Sequence, residues 1–240
     1  MQVQRLKSLI SQSSNIVFFG GAGVSTESAI PDFRSENGIY QAKKSYGYSP
    51  EYMLSHDFLM RHTEEFFDFY KTQMIYKDAK PNAAHQALAH LEKIGKLKAV
   101  ITQNIDGLHQ MAGSQEVLEL HGSVHRNYCM KCKRPYNLQY VLERAGVPTC
   151  GVCSGLVRPD VVLYSEMLNE DILKKAVYAI HQADMLIVGG TSLAVYPAAG
   201  LIEYYHGDKL VLINKSATPY DEKADLVIQD SIGKVLSEVV

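Results

Sequence analysis

Short apolar runs alternate with amphipathic stretches along almost the whole chain. "QVQRLKSLISQSSN" spaces its apolar residues at helical intervals and predicts a helix from Gln2 to about Ser13. "NIVFFGG" at 15–21 is a short apolar run ending in glycine, the pattern of a strand buried on both faces of a parallel sheet. From Pro31 to Ser49 the periodicity fades into a long loop, a feature that is often functional in a compact domain. Helical spacing returns from Ser49 to Tyr76, with Ser49 as cap and Pro50 in the first turn. The aromatic stripe of "TEEFFDFYKTQMIY" reads as core packing. "KPNAAHQALAHLEKIGK" predicts a helix starting near Pro81, "LKAVIT" a second strand and "VLELHG" at 117–122 a third. After a loop-rich segment from Tyr128 to Arg158, "DVVLY" is strand-like and 169–182 helical. "DMLIVGGTS" predicts a strand and glycine turn, "PAAGLIEYY" a helix, "KLVLIN" and "DLVIQ" strands, and "SIGKVLSEVV" a closing helix.

Strands alternating with helices define an α/β chain with a doubly wound, Rossmann-like parallel sheet. Two segments interrupt the alternation, so a smaller zinc-binding and helical domain is expected to be discontinuous in sequence. The expected division assigns 1–39, 79–127 and 159–240 to the Rossmann-like domain. The helical module 40–78 and the cysteine module 128–158 form the small one. A length of 240 residues buries a sizeable core, and 46% hydrophobic with 21% charged residues is an ordinary globular balance. The net charge of -2 argues against strong nonspecific binding to nucleic acid or anionic membrane. No apolar stretch approaches a membrane span, and the residues after Met1 lack a basic region followed by an apolar run. Neither a signal peptide nor a direct nucleic-acid or membrane partner is expected, and the cytoplasm is the expected compartment.

The cysteines change the picture most. Cys129 and Cys132 make one C-x-x-C, and Cys150 and Cys153 make another at a spacing that suits a four-cysteine zinc site. The alternative is a pair of disulfides or unrelated thiols, which a cytosolic compartment and the pairing of every cysteine disfavour. Four sulfur ligands leave no position open for water, so the zinc is expected to be structural.

Ligands of a doubly wound sheet sit beyond the carboxyl ends of the strands. That rule selects "GGAGVST", "TQNIDGLH", "LHGSVH", "GGTSL" and "INKS". The first and fourth are glycine turns with hydroxyls, at Gly21, Ala22, Gly23, Ser25 and Thr26, and at Gly190, Thr191 and Ser192. Such turns admit a phosphate to backbone N–H groups, and two on one edge suit the two halves of a dinucleotide. The third glycine of a dehydrogenase fingerprint is missing, with Thr26 in its place, and no acidic residue follows at the usual distance. Hydride transfer is therefore disfavoured. Gln103, Asn104 and Asp106 can read polar faces of a ligand, or simply shape a turn. Among nine histidines, His121 stands at a strand end before Gly122 and is the candidate general base, with His109 and His125 as competitors. In "PDFR", Arg34 can meet a phosphate or bond Asp32, and Phe33 can cover a reactive ring or pack on the core.

Taken in order, "GAGVST…IPDFRS", "TQNIDGLH", "ELHG", the two C-x-x-C pairs, "RPDVV", "GTSLAVYPAAGL" and "LIN" resemble the sirtuins, NAD-dependent protein lysine deacylases. The resemblance runs from about residue 15 to the C-terminus and is to the bacterial type with a single catalytic core. It implies a transferase that consumes NAD and removes acetyl or other neutral acyl groups from protein lysines. The products would be nicotinamide, O-acetyl-ADP-ribose and free lysine. His121 would be the base on a ribose hydroxyl, with Asn104 and Asp106 in the nicotinamide pocket and Ile105 against the ring. Ala22, Ser25, Thr26, Asp32, Phe33, Arg34 and Gln103 would contact phosphates and reactive ribose. Thr191, Ser192, Asn214, Lys215 and Ile232 would surround the adenosine end. An acetyl-lysine protein or peptide would lie as a strand between Val161–Val162 and Leu193–Val195, paired through the main chain.

Three departures stand out. Gly20 occupies a position that is threonine in many relatives, and Leu163, Tyr164, Ser165 and Glu166 replace an FGE-like run. In sirtuins that prefer acidic acyl groups, a tyrosine and an arginine three residues later bind the carboxylate; here the match is Tyr70 with Gln73. Succinyl and malonyl removal are therefore disfavoured. A mono-ADP-ribosyltransferase and a non-catalytic NAD- or ADP-ribose-binding module remain the alternatives.

Overall fold

The computed structural model of the chain describes residues 1–32 and 47–240. The central sheet is parallel and, among these residues, has six strands. They are β1 (Ile16–Gly20), β2 (Leu97–Thr102), β3 (Val117–Glu119), β7 (Met185–Gly189), β8 (Leu210–Ile213) and β9 (Leu226–Ile228), in the order β3-β2-β1-β7-β8-β9. The apolar runs become strands because both faces are covered. Ile16 and Phe18 pack with Val100, Ile187 and Val211 under α1 (Gln2–Gln12), α5 (Ala83–Lys93) and α9 (Ile232–Ser237). Val17 and Phe19 pack on the other face with Ile101, Leu186, Val188 and Leu212, against α8 (Glu170–Gln182) and a 3-10 turn at Ala198–Tyr204. The chain winds outward from β1 to β2 and β3, then returns to lay β7 on β1's other side. The crevice beyond the carboxyl ends of β1 and β7 is thus the switch point where this architecture binds ligands.

A second, antiparallel sheet of β4 (Gly122–Cys129), β5 (Pro135–Asn137) and β6 (Val157–Val161) runs in the order β5-β4-β6. It corrects the reading of "DVVLY". That run's first residues belong to β6, which pairs antiparallel with β4 at Gly122↔Val161 and Cys129↔Val157 rather than joining the parallel sheet. A compact cysteine loop can return the chain antiparallel, whereas a parallel neighbour needs a long crossover. The sheet straddles the expected junctions at 127/128 and 158/159. "PAAGLIEYY" is a 3-10 turn rather than an α-helix, and the "VLELHG" strand stops at Glu119, because the chain bends there to enter β4.

The helical module is α2 (Pro50–Met53), α3 (His56–Arg61) and α4 (Thr63–Gln73). Ser49 caps α2 by accepting from Tyr52 N at 3.3 Å, and Ser55 caps α3 by accepting from Phe58 N at 3.1 Å. The aromatic stripe is core, as its spacing predicts. Phe66, Phe67, Phe69 and Tyr70 pack with Met53 and Phe58 against Val141 and Val157 of the cysteine-bearing segment and against Val124 and Leu163 that flank it. Two sequence-distant modules therefore share one core.

Candidate functional site

The glycine turns after β1 and β7 press against one another. A Cβ on Gly23 would stand 2.8 Å from Gly190 Cα, and Gly23 N donates to Gly190 O at 2.7 Å. Such a close approach tolerates only hydrogen at the α-carbon. Thr26 Oγ1 donates back to Gly23 O at 3.0 Å, and Glu27 accepts from Gly233 N in the first turn of α9 at 2.8 Å. This tethers the Gly21–Thr26 turn to the helix that carries Ile232. A bond from Gln103 Nε2 to Thr191 Oγ1 at 3.1 Å and one from Thr191 N to Asn214 Oδ1 at 2.9 Å join the ends of β2, β7 and β8. Asn214 is buried, and its Nδ2 has no hydrogen-bond partner among the described residues. A buried donor left over beside two glycine turns fits a polar nucleotide, and that is the test these residues meet for NAD.

The loop after β2 builds the other half. Ser25 Oγ donates to Asp106 Oδ2 at 2.6 Å and accepts from Asn104 Nδ2 at 3.0 Å. Asp106 Oδ1 also accepts Leu108 N at 2.9 Å, which starts α6 (Leu108–Ala112). The carboxylate and carboxamide are thereby locked before any ligand arrives.

His121 lies between the two sheets. Its Nδ1–H donates to the Gln103 carbonyl at 2.9 Å, and its own carbonyl accepts from Val162 N at 3.0 Å. A carbonyl can only accept, so the neutral ring carries its proton on Nδ1 and keeps a lone pair on Nε2. Burial lowers its pKa from 6.5, with the Gln103 bond partly opposing.

One cavity of about 360 Å³ collects Ala22, Ser25, Gln103, Asn104, Ile105, Asp106, His121, Val161, Val162 and Val195. The outer set of Gly21, Gly23, Thr26, Gly190, Thr191, Ser192, Asn214, Lys215 and Ile232 belongs to the turns and strand ends beside it. Leu193 has its side chain in the core on the far side of the sheet, leaving only its main chain for a ligand. Asp32 is half-buried at the edge of the described residues; Phe33 and Arg34 lie outside them.

One supporting residue escaped the sequence reading, and the two histidines that it set beside His121 take other places. Asn82 caps α5 and donates to Val24 O at 2.8 Å and Ser28 Oγ at 3.0 Å, bracing the first glycine turn. His125, a competitor for the base, instead bonds the Asp106 carbonyl through Nε2 at 2.9 Å. His109, the other competitor, is buried beside His85, ring centroids 4.7 Å apart, away from the cavity. Their roles depend on contacts across the fold, which no local motif encodes.

The four cysteine sulfurs lie within 4.8 Å of one another, and none is in a disulfide. Sγ separations of 3.5 Å for Cys129–Cys153 and 3.6 Å for Cys132–Cys150 approach the edge of about 3.8 Å that tetrahedral Zn–S bonds would set. A hydrogen bond from Tyr136 Oη at 3.0 Å holds the Cys150 thiol down at about 6, so it is a ready thiolate at neutral pH. The donor set fits a closed, structural zinc ion.

A doubly wound fold with two glycine turns at its switch point, a histidine on the adjoining cavity and a four-cysteine metal module is the arrangement of a nucleotide-dependent enzyme. The Sir2 family profile matches residues 21–197, and the chain belongs to the Sir2 family. It is 63% identical over 240 residues to an NAD-dependent protein deacetylase of Clostridium acetobutylicum, spanning 100% of this chain and 98% of that protein. To the protein of that name from Clostridium tetani it is 66% identical over 238 residues, 99% of this chain and 96% of the relative. Among solved structures, a Sir2 variant with deacetylated p53 peptide and 3′-O-acetyl ADP-ribose superposes with TM-score 0.91 at 41% identity. That match covers 100% of this chain and 97% of the other. A Sir2–p53 peptide–NAD⁺ complex gives TM-score 0.88 at 40% identity, with 100% and 97% covered.

Proposed function

We propose that this chain is an NAD-dependent protein lysine deacetylase. The observation that carries the reading is the tautomer of His121. Its Nδ1–H is spent on Gln103 O, which leaves the Nε2 lone pair on a ring that lines one cavity with Ser25, Asn104 and Asp106. When bound, NAD would supply the ribose carbon that takes the acyl oxygen as nicotinamide departs; with one water consumed, the products are nicotinamide, O-acetyl-ADP-ribose and free lysine.

The chain's own residues do the rest. His121 Nε2 removes the proton of a ribose hydroxyl, and its lowered pKa keeps it unprotonated at neutral pH. Asn104 and Asp106, held by Ser25, frame the nicotinamide end with Ile105 beside them, and need no reorganisation when it fills. The Gly21–Thr26 turn, together with Asp32, Phe33, Arg34 and Gln103, serves the phosphates and reactive ribose. Gly190, Thr191, Ser192, Asn214, Lys215 and Ile232 serve the adenosine end. Val161–Val162 and Leu193–Val195 hold the acetyl-lysine peptide through their main chains.

The division into a Rossmann-like domain and a two-module small domain belongs to the same reading, with β4 and β6 crossing its junctions. So does a cytoplasmic site of action, which four cysteines free of disulfides suit. Among the described residues no helix is long and apolar enough to cross a membrane.

Mass spectrometry of an acetyl-lysine peptide with and without NAD⁺ tests the reading, alongside His121→Ala. Acetyl loss should require NAD⁺, release equimolar nicotinamide and O-acetyl-ADP-ribose, and fall by about 10² or more in the variant. NAD⁺ consumption with the acetyl group retained would turn the assignment to ADP-ribosyl transfer. Binding without consumption would leave only a binding module.

A further inference from the structure

The loop that carries Gln103, Asn104 and Asp106 is held by the segment that carries the base. Gln103 O accepts from His121 Nδ1 at 2.9 Å, and Ile105 O accepts from Val124 N at 3.0 Å. A third carbonyl, Asp106 O, bonds His125 Nε2 at 2.9 Å. The first bond orients the base. The second is a main-chain bond, indifferent to the side chain at 124. The third depends on one side chain, that of His125.

The fit around this imidazole is close. Gly107, next to Asp106, has φ +74°, and a Cβ there would stand 2.7 Å from His125 Cδ2 and 2.8 Å from its Nε2. The ring thus lies across the Gly107 α-carbon, where hydrogen alone leaves it room. A carbonyl can only accept, so Nε2 carries a proton, which the neutral ring and the imidazolium can both supply. The Asp106 carboxylate is fixed separately, by Ser25 Oγ at 2.6 Å and Leu108 N at 2.9 Å. Main chain and side chain of Asp106 are therefore both pinned, the first by His125. His125 is exposed and borders the same cavity as Ile105 and Asp106.

We propose that His125 is a positioning residue for the nicotinamide end of the site. Through the Asp106 carbonyl it sets the wall that Ile105 and Asp106 present, and so tunes how tightly NAD⁺ and the departing nicotinamide are held. The proposal rests on the deacetylase reading above. A wall already fixed to β4 loses no freedom when a ligand arrives, whereas a released one must be ordered by the ligand. The base keeps its own bond to Gln103 O, so its tautomer does not depend on His125.

Steady-state kinetics on one acetyl-lysine peptide test this, with NAD⁺, peptide and nicotinamide varied in turn. His125→Ala should raise KM for NAD⁺, and the nicotinamide concentration that halves the rate, each by about fivefold, the worth of one neutral hydrogen bond. KM for peptide should move by less than about twofold. His125→Gln, whose carboxamide can donate to the same carbonyl, should recover most of the loss. Gly107→Ala, which drives the ring aside, should give the same pattern and add little once residue 125 is alanine. A variant that is merely destabilised loses active protein, which lowers kcat and leaves every KM in place. Unchanged NAD⁺ and nicotinamide values in a folded His125→Ala overturn the inference and leave the deacetylase standing. So does a loss shared equally by the peptide, or a glutamine variant no better than alanine. A wild type that removes no acetyl group with NAD⁺ present overturns both.

Discussion

The Gln103 carbonyl that accepts from His121 Nδ1 at 2.9 Å decides which imidazole nitrogen is free, and burial decides over what pH range it stays free. Because burial lowers the pKa from 6.5, the neutral base persists below that pH and is lost only as pH falls through the lowered value. The acid limb of kcat/KM should therefore reach half-maximum below pH 6.5, and a midpoint above it would contradict the assignment. The residue after the base is equally constrained. Gly122 has φ +75°, and a Cβ there would stand 1.9 Å from the Asp160 carbonyl. Gly122→Ala should cost about 3 kcal/mol or more, seen in chemical denaturation, with a matching loss of activity as His121 is displaced. "HG" was visible in the sequence as a base followed by a flexible residue. The carbonyl against which that glycine packs was not.

At the scale of elements, the segment from Arg158 to Glu166 shows how the strand proposed to pair with the peptide is held. Arg158 is buried, and Glu166 accepts from both its terminal guanidinium nitrogens, accepts Leu163 N at 2.9 Å and reaches His56 Nδ1 of α3 at 2.8 Å. The run that departs from the FGE-like pattern of many relatives therefore still clamps β6 to the helical module. Ser165 sits at φ +72°, the left-handed region that a glycine would enter without strain. Burial opposes the Glu166 charge, yet hydrogen bonds from Arg158, Leu163 N and His56 hold the carboxyl down at about 2. Its stabilisation is present above the unfolded value of 4.5 and is lost as pH falls toward about 2. Glu166→Gln leaves the Arg158 charge buried with a neutral partner. It should cost about 3 kcal/mol at neutral pH and flatten the acid limb of the stability curve, both read by urea titration across pH. KM for peptide should rise with it, because Leu163 N and the Val161 carbonyl are held by the same pair.

Over the whole molecule, the metal module and the chemistry meet through one core. Cys129 and Cys150 are buried in the cluster that contains Phe66, Tyr70, Val124 and Val161, so the thiolate site supports the walls of the cavity without touching the reacting atoms. Cys150→Ser, or zinc removal by a strong chelator, should lower Tm by roughly 5 °C or more and reduce deacylation in proportion to lost order. A zinc-free protein of native Tm and full activity would contradict this, with metal content measured alongside.

The sequence by itself determined the alternation of apolar runs and amphipathic helices, the five strand ends, both glycine turns and the cysteine pairs. Each is written locally, in periodicity or in spacing along a single turn. It also singled out His121, because strand end and glycine are adjacent in the chain. Folding alone set the antiparallel place of Val157–Val161, the brace of Asn82 on Val24, the neutralisation of Arg158 by Glu166, and the burial of Tyr70 in the core that the two small modules share. Those facts pair residues far apart in the sequence or weigh desolvation against the few partners in reach. Such balances exist only once the chain has closed around them.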